Sequence, residues 1–152
     1  MALESSGVSK AEVLRFPAGE LFSIVLDVEK YPEFLPWCKD VVILSKGKSL
    51  MEVDLVAGFM SLEGRYTSHV SFLAPDVGRP GWIRAESSDG VFKTLKCKWS
   101  FFPVKEKETL VKFFVDFAFK NKVLQLAFNL ASDNAIESIT RAFRDRAYKL
   151  LG

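Results

Sequence analysis

Apolar positions recur along this chain with two different periods, and the change of period divides it. From residue 8 to residue 119 most runs alternate, the period of half-buried strands; from residue 121 onward the spacing becomes three and four, the period of a helix. Residues 8–16 read as a first strand, closed by Pro17-Ala18-Gly19, and residues 20–26 have helical spacing. Pro32 and Pro36 forbid one regular helix between Asp27 and Cys38, so that segment is expected to be a helical turn that presents Phe34, Leu35 and Trp37 on a stiff piece of chain. Strands follow at 41–45, 49–57, 61–72, 82–87, 94–101 and 109–119. Met51, Val53, Leu55 and Ala57 share one side of the second of these six. Leu62, Tyr66, Val70 and Phe72 share a side of the third, with Glu63, Arg65, Thr67 and His69 opposite. Leu95, Cys97, Trp99 and Phe101 alternate with lysines, and Val111, Phe113, Val115, Phe117 and Phe119 line the strongest strand. Gly58-Phe59-Met60 is a turn with an unusually apolar tip.

The last element is a helix of about 30 residues, roughly 45 Å long. Leu124, Phe128, Ala131, Ala135, Ile139, Ala142, Ala147 and Leu150 make its apolar face, Asn121 caps its start, and basic residues crowd its end. A bend at Ser132-Asp133-Asn134 is open, because these side chains compete for backbone hydrogen bonds. So long an apolar stripe needs a large cover. Consecutive strands with short turns make an antiparallel sheet, and one curved sheet around one long helix is an α+β arrangement. Residues 1–152 read as one domain, without repeats or linkers.

Composition sharpens this in one respect. Forty-nine per cent hydrophobic residues and 14 Phe indicate a heavy core or an apolar cavity. Trp99, Phe101, Phe113, Val115 and Phe117 would face a helix that answers with Ala131, Ala135 and Ala142. Large residues opposite small ones give either tight packing or a void, and a void there would be greasy, with few polar anchors. An isoprenoid or acyl chain would fill it, at about 0.8 kcal/mol per buried CH₂.

A net charge of +2 is too small to point to DNA or any nucleic acid by itself. The charge is uneven, however: residues 1–92 carry 9 basic and 13 acidic groups, residues 93–152 carry 12 and 6. A basic half that includes Lys96, Lys98, Lys112, Arg141 and Arg144 could meet phosphate, or could be a solvated face. Cys38 and Cys97 make no disulfide framework and read as buried thiols of a reducing compartment. No leader precedes the first strand and no apolar run reaches transmembrane length, so a cytoplasmic protein is expected, touching a membrane from outside at most. His69 is the sole histidine and sits on a polar strand face, which argues against a zinc site or a His-based nucleophile; there is no phosphate-binding glycine motif. An enzyme using Tyr66 with a carboxylate stays open. Phe34, Leu35, Trp37 and Phe59 could dip into a bilayer or simply close the ends of the sheet.

Tyr31-Pro32-Glu33-Phe34-Leu35-Pro36-Trp37-Cys38 resembles the signature segment of the coenzyme-Q-binding, START-like family. Glu63-Gly64-Arg65-Tyr66-Thr67-Ser68, Gly90-Val91-Phe92-Lys93-Thr94-Leu95, Trp99-Ser100-Phe101-Phe102-Pro103, the strand Val115-Asp116-Phe117-Ala118-Phe119, and Ala142-Phe143-Arg144-Asp145-Arg146-Ala147 are similar to the same family. The resemblance covers about residues 8 to 151. It implies the helix-grip fold (START-like, Bet v 1-like), with a hydrophobic tunnel between sheet and helix. It also implies non-catalytic binding of ubiquinone or a related polyprenyl lipid in support of respiration, with no cofactor and no metal. On that reading Phe34, Leu35, Trp37 and Phe59 form or guard the mouth. Leu55, Tyr66, Trp99, Phe101, Phe113, Val115, Phe117, Ala135 and Ile139 line the tunnel. The family also contains a member that blocks association of ribosomal subunits, so a ribosome-binding regulator is the alternative. A cyclase-like enzyme is a third.

Overall fold

The alternating runs form strands because each has one apolar face to bury, and the computed structural model shows where those faces go. It describes residues 7–59 and 62–152, and the side chains of all of these except Phe59, Leu62, Phe128 and residues 131–133. The expected turn at Met60 and Ser61, and the side chains of Phe59 and Ala131, therefore lie outside the described residues.

The elements are β1 (Val8–Leu14), α1 (Ala18–Leu26), a 3₁₀ turn (Val28–Lys30), α2 (Tyr31–Phe34), β2 (Cys38–Lys46), β3 (Leu50–Phe59), β4 (Leu62–Leu73), β5 (Gly81–Ser87), β6 (Phe92–Lys105), β7 (Glu108–Phe119) and α3 (Lys122–Leu151). The seven strands form one antiparallel sheet in the order β1-β7-β6-β5-β4-β3-β2. This is the expected sequence of elements. β2 and β6 are longer than their alternation suggested. Each contains register shifts, at Cys38/Asp40 and Ile43/Ser45 in β2 and at Phe92/Thr94 and Pro103/Lys105 in β6. A bulge lets a strand continue past an irregularity: Pro103, with no N–H to donate, stands opposite Thr109, and the ladder skips Val104 beside it.

α3 is one helix without a break at residues 132–134. Its cap is as expected: Asn121 Oδ1 accepts from the amides of Val123 (2.8 Å) and Leu124 (3.1 Å). Its buried stripe differs from the expected one. Leu124, Ile136, Thr140, Phe143 and Ala147 are buried, whereas Leu150 is 53% exposed. The stripe from Ile136 to Ala147 follows spacings of four and three, and Thr140 belongs to it because its hydroxyl bonds back to the Ile136 carbonyl at 3.0 Å. A polar residue in the stripe hid part of it.

The second half of α3 is clamped to the sheet edge. Lys10 of β1 pairs with Glu137 and reaches Thr140 Oγ1 at 3.2 Å, and Arg144 meets Glu12 at 3.3 Å. Arg146 meets Glu33 at 3.2 Å and lies over the Phe34 ring. α1 packs against β5, β6 and α3, with Phe22 edge-on to Phe101.

At the other end of the sheet, β4 is fastened to the turn before β6. Asp89 Oδ1 accepts from the Thr67 amide and from Ser87 Oγ, both at 2.9 Å. The Thr67 amide bond, chiefly, holds the Asp89 carboxyl below the usual carboxylate range. Gly90 has φ +59°, and a Cβ there would fall 1.8 Å from the Arg65 carbonyl oxygen. Gly90→Ala is therefore expected to destabilise by more than about 1 kcal/mol. Thermal unfolding measures it; an unchanged melting temperature would mean the turn is not held this closely.

Candidate ligand cavity

Two chambers lie between the inner face of the sheet and α3. The inner one has a volume of about 110 Å³ and the outer about 370 Å³. Trp37, Tyr66, Phe117 and Ile139 line both, so the chambers adjoin. The inner chamber is comparable to an apolar hole that takes one small ring, and the outer falls in the range of ordinary ligand pockets.

Aromatic contacts set the two ends. Phe143 projects from α3 into a cluster in which Trp99, Tyr31 and Phe34 all meet it edge-on, at 4.9, 5.3 and 5.2 Å between ring centroids. Trp99 rests in turn on Phe113 at 4.5 Å. This cluster closes the inner end; beyond it lies a crevice of about 30 Å³ against the Lys10, Glu12 and Arg144 clamp. At the outer end Tyr66 meets Phe92 edge-on at 4.8 Å, and Phe92 stacks on Phe117. Between these ends α3 offers Ile139 and Ala135, which reach less far than a phenyl ring. Small against large leaves a void here.

The structure brings most of the expected residues together. Leu55, Tyr66, Trp99, Phe113, Val115, Phe117 and Ile139 line the inner chamber, and Ala135 lines the outer one. Others stand elsewhere. Leu35 is only 1% exposed, a core residue rather than a surface one, because the chain folds back after α2 with the Leu35 amide on the Tyr31 carbonyl at 2.8 Å. Phe34 lies between Tyr31 and Phe143 under Arg146, outside both chambers. Phe101 packs on Phe22 and reaches only the small crevice. Of the proline-bounded segment, Trp37 and Tyr31 reach the inner chamber. Trp37 is placed there by its carbonyl, which accepts from the Gly58 amide of β3 at 2.8 Å.

Tyr31, Cys97, Ser68 and Phe143 were not expected as lining residues. The period of β6 already put Cys97 on the inner face, and the period of β4 puts Ser68 on the same side as Tyr66. Phe143 needed the full buried stripe of α3.

No carboxylate, histidine, lysine or arginine lines the inner chamber among the described residues. Its polar atoms are neutral: the Tyr66 and Tyr31 hydroxyls, Ser68, Cys97 and the Trp37 indole. Tyr31 donates to the Val25 carbonyl. The Trp37 Nε1–H is buried and has no acceptor among the described residues. Among the described residues no group of three His, Cys, Asp or Glu is placed to hold a metal, and no helix is long and apolar enough to cross a membrane.

Burial pushes the Cys97 thiol up to about 12 and raises the Tyr66 and Tyr31 phenols above their usual value. The folded chain thus favours the neutral forms, while the unfolded chain ionises the thiol near 9 and the phenols near 10. Their contribution to stability is complete below about pH 9 and is lost as the pH rises through the raised values. Chemical denaturation between pH 8 and pH 12 should show stability falling, and Cys97→Ala should lessen the fall. Equal slopes for the two proteins would place Cys97 in contact with water.

Comparison with known proteins agrees with this geometry. The model of the family described as polyketide cyclase / dehydrase and lipid transport matches residues 14–144. A protein named ribosome association toxin RatA, from Vibrio cholerae, is 30% identical over 95% of this chain and 97% of its own length. A protein named coenzyme Q-binding protein COQ10, mitochondrial, from Drosophila melanogaster, is 30% identical over 89% of this chain and 55% of its own length. A solved START superfamily protein from Mycobacterium smegmatis superposes with a TM-score of 0.76 at 22% identity, covering 95% of this chain and 98% of that one.

Proposed function

This chain belongs to the polyketide cyclase / dehydrase and lipid transport family and has its START-like fold, and we propose that it binds and delivers ubiquinone or a related polyprenyl lipid without catalysing a reaction. The observation that carries this reading is the pair of adjoining, mainly apolar chambers, both lined by Trp37, whose buried N–H has no acceptor among the described residues. A quinone matches that chemistry. Its carbonyl oxygen is the neutral acceptor the Trp37 N–H lacks, and leaving such a donor unsatisfied costs about 1–3 kcal/mol. Its isoprenoid tail is hydrocarbon, and each buried CH₂ contributes about 0.8 kcal/mol. A charged head would be disfavoured, since no opposite charge faces the inner chamber. General acid–base chemistry needs a group that ionises near the working pH; Cys97 and Tyr66, raised by burial, do not, and among the described residues that line the two chambers the one carboxylate, Glu63, is an exposed residue of the outer chamber. The name of the Drosophila relative agrees with the reading.

Organic extraction of the protein purified from a quinone-producing host, followed by mass spectrometry, tests it. One equivalent or less of a polyprenyl quinone is expected. No recovered lipid, together with no uptake on titration, would end the proposal.

A second reading is favoured by different observations. The relatives named for ribosome association match nearly the whole of both chains. The outer face of the sheet also carries basic groups. Arg84 of β5 is in register with Lys98 of β6, with Lys112 on the same face, while Lys96 stands there between Glu86 and Asp116. Arg84 lies over Trp82 and Lys112 over Phe102, so aromatic surface sits beneath the cations. Arg141 and Arg144, grouped with these lysines by sequence, pair instead with Glu137 and Glu12. On this reading the basic groups of the sheet meet ribosomal RNA. Co-sedimentation with the large subunit should weaken steeply with salt and be lost in Lys98→Glu/Lys112→Glu. Absence of binding at low salt would remove it. The chambers and these basic groups lie on opposite faces, so one chain could serve both uses.

A further inference from the structure

The two halves of α3 differ in what they show to the outside. The second half presents exposed Arg141, Asp145 and Lys149, with Tyr148 and Leu150 half exposed at its end. The first half carries apolar residues on both sides, with Asn129 exposed among them. Leu124 faces inward and lines the outer chamber. Val123, Leu126 and Leu130, spaced three and four apart, face outward and are 75%, 62% and 83% exposed. Nothing among the described residues covers them. The contacts of α3 with β1 and α2 fall at or after Glu137, whereas its first half is tied to β7 through the Phe119 amide, which donates to Gln125 Oε1 at 2.7 Å on another side of the helix from Leu126 and Leu130.

Exposed Lys120 and Lys122 stand at the start of the helix, and no acidic residue lies between them and Leu130; Asp133 follows in the sequence, and Glu63 lines the outer chamber. Apolar side chains standing clear of a helix surface, with lysines beside them, suit the boundary between headgroups and acyl chains, where anionic lipid attracts the cations. Such a row is also more apolar exposure than a free surface helix ordinarily carries.

We propose that the outward face of the first half of α3 docks on an anionic phospholipid bilayer. Docking there sets the outer chamber, which Leu124 and Ala135 of the same segment line, directly beside the lipid phase. A hydrophobic cargo then passes between bilayer and chamber with little exposure to water. The proposal deepens the carrier reading and rests on it for its purpose, but its test does not require cargo. It also moves the membrane contact away from Phe34 and Leu35, whose side chains the fold uses elsewhere.

Flotation of the full chain with vesicles tests the surface. The protein should float with vesicles of phosphatidylcholine and phosphatidylglycerol and much less with phosphatidylcholine alone. Leu126→Glu/Leu130→Glu should lower the bound fraction at least tenfold (an order-of-magnitude expectation) with an unchanged melting temperature, since both side chains are already exposed. Val77→Glu, a change at a residue 98% exposed in a loop elsewhere, should leave flotation intact. Failure of the wild-type chain to float with anionic vesicles would overturn the proposal, as would equal flotation of the double variant. A wild-type dimer that the double variant converts to monomer would overturn it too, because the face would then belong to a second copy. Organic extraction of the wild-type chain separates the two ideas. Lipid recovered from a wild-type chain that does not float sinks the docking face alone; flotation of the wild-type chain without recovered lipid sinks the carrier reading alone.

Discussion

The seat of Phe143 is the contact on which the rest of the interior depends. One phenyl ring from α3 meets Trp99, Tyr31 and Phe34, which come from β6, the start of α2 and its end. Three ring contacts of this kind are worth about 0.5–1.5 kcal/mol each beyond the area they bury. They fix how deep α3 sits and where along the sheet it sits. The ion pairs to Lys10, Glu12 and Glu33 flank this seat and are partly exposed, so they set alignment more than stability. Once the helix is seated, the residues one and two turns earlier hang over the sheet at a fixed height. They are Ile139 and Ala135, and they do not reach the opposite wall.

The empty volume has a cost. At about 24 cal/mol per Å³, an unfilled 110 Å³ chamber corresponds to roughly 2–3 kcal/mol of packing forgone. A chain selected only to fold would lose that deficit by a single larger residue at Ile139. Retaining it is what a container requires, because the same deficit is offset when an oily guest enters. On the proposed carrier reading, the neutral polar groups lining the chambers would give the binding a direction, since only one end of a polyprenyl quinone carries an acceptor for Trp37. The chambers and the outer face do not compete for side chains: every strand that sends a hydrophobic side chain inward sends its neighbour outward.

Much of the fold was legible because β3, β4, β6 and β7 alternate so strictly that their inner faces could be named residue by residue. Their positions Leu55, Tyr66, Trp99, Phe113, Val115 and Phe117 do converge on the chambers. Strand pairing could be read because the turns are short. The segment from Tyr31 to Cys38 was legible only in part. Its prolines revealed an irregular piece, but period says nothing about which side chains of an irregular piece turn inward, and Leu35 and Trp37 part company from Phe34 there. On α3 the expected Leu124, Ala135, Ile139 and Ala147 do face inward, but the buried stripe also takes in Ile136, Thr140 and Phe143, which the pattern missed because a threonine interrupts it. The void itself could not be read at all. Whether small and large side chains interlock or leave space depends on the distance between helix and sheet, which Phe143 sets and no local spacing records.

The most direct test of the container is a titration with ubiquinone bearing a short isoprenoid tail, followed by tryptophan fluorescence, because Trp37 and Trp99 both line the inner chamber and quinones quench indole emission. The account predicts saturable quenching at about one equivalent, lost in an Ile139→Phe variant that melts at or above the wild-type temperature because the chamber is filled. Quenching that rises without saturation, or that is equal in the two proteins, would contradict it.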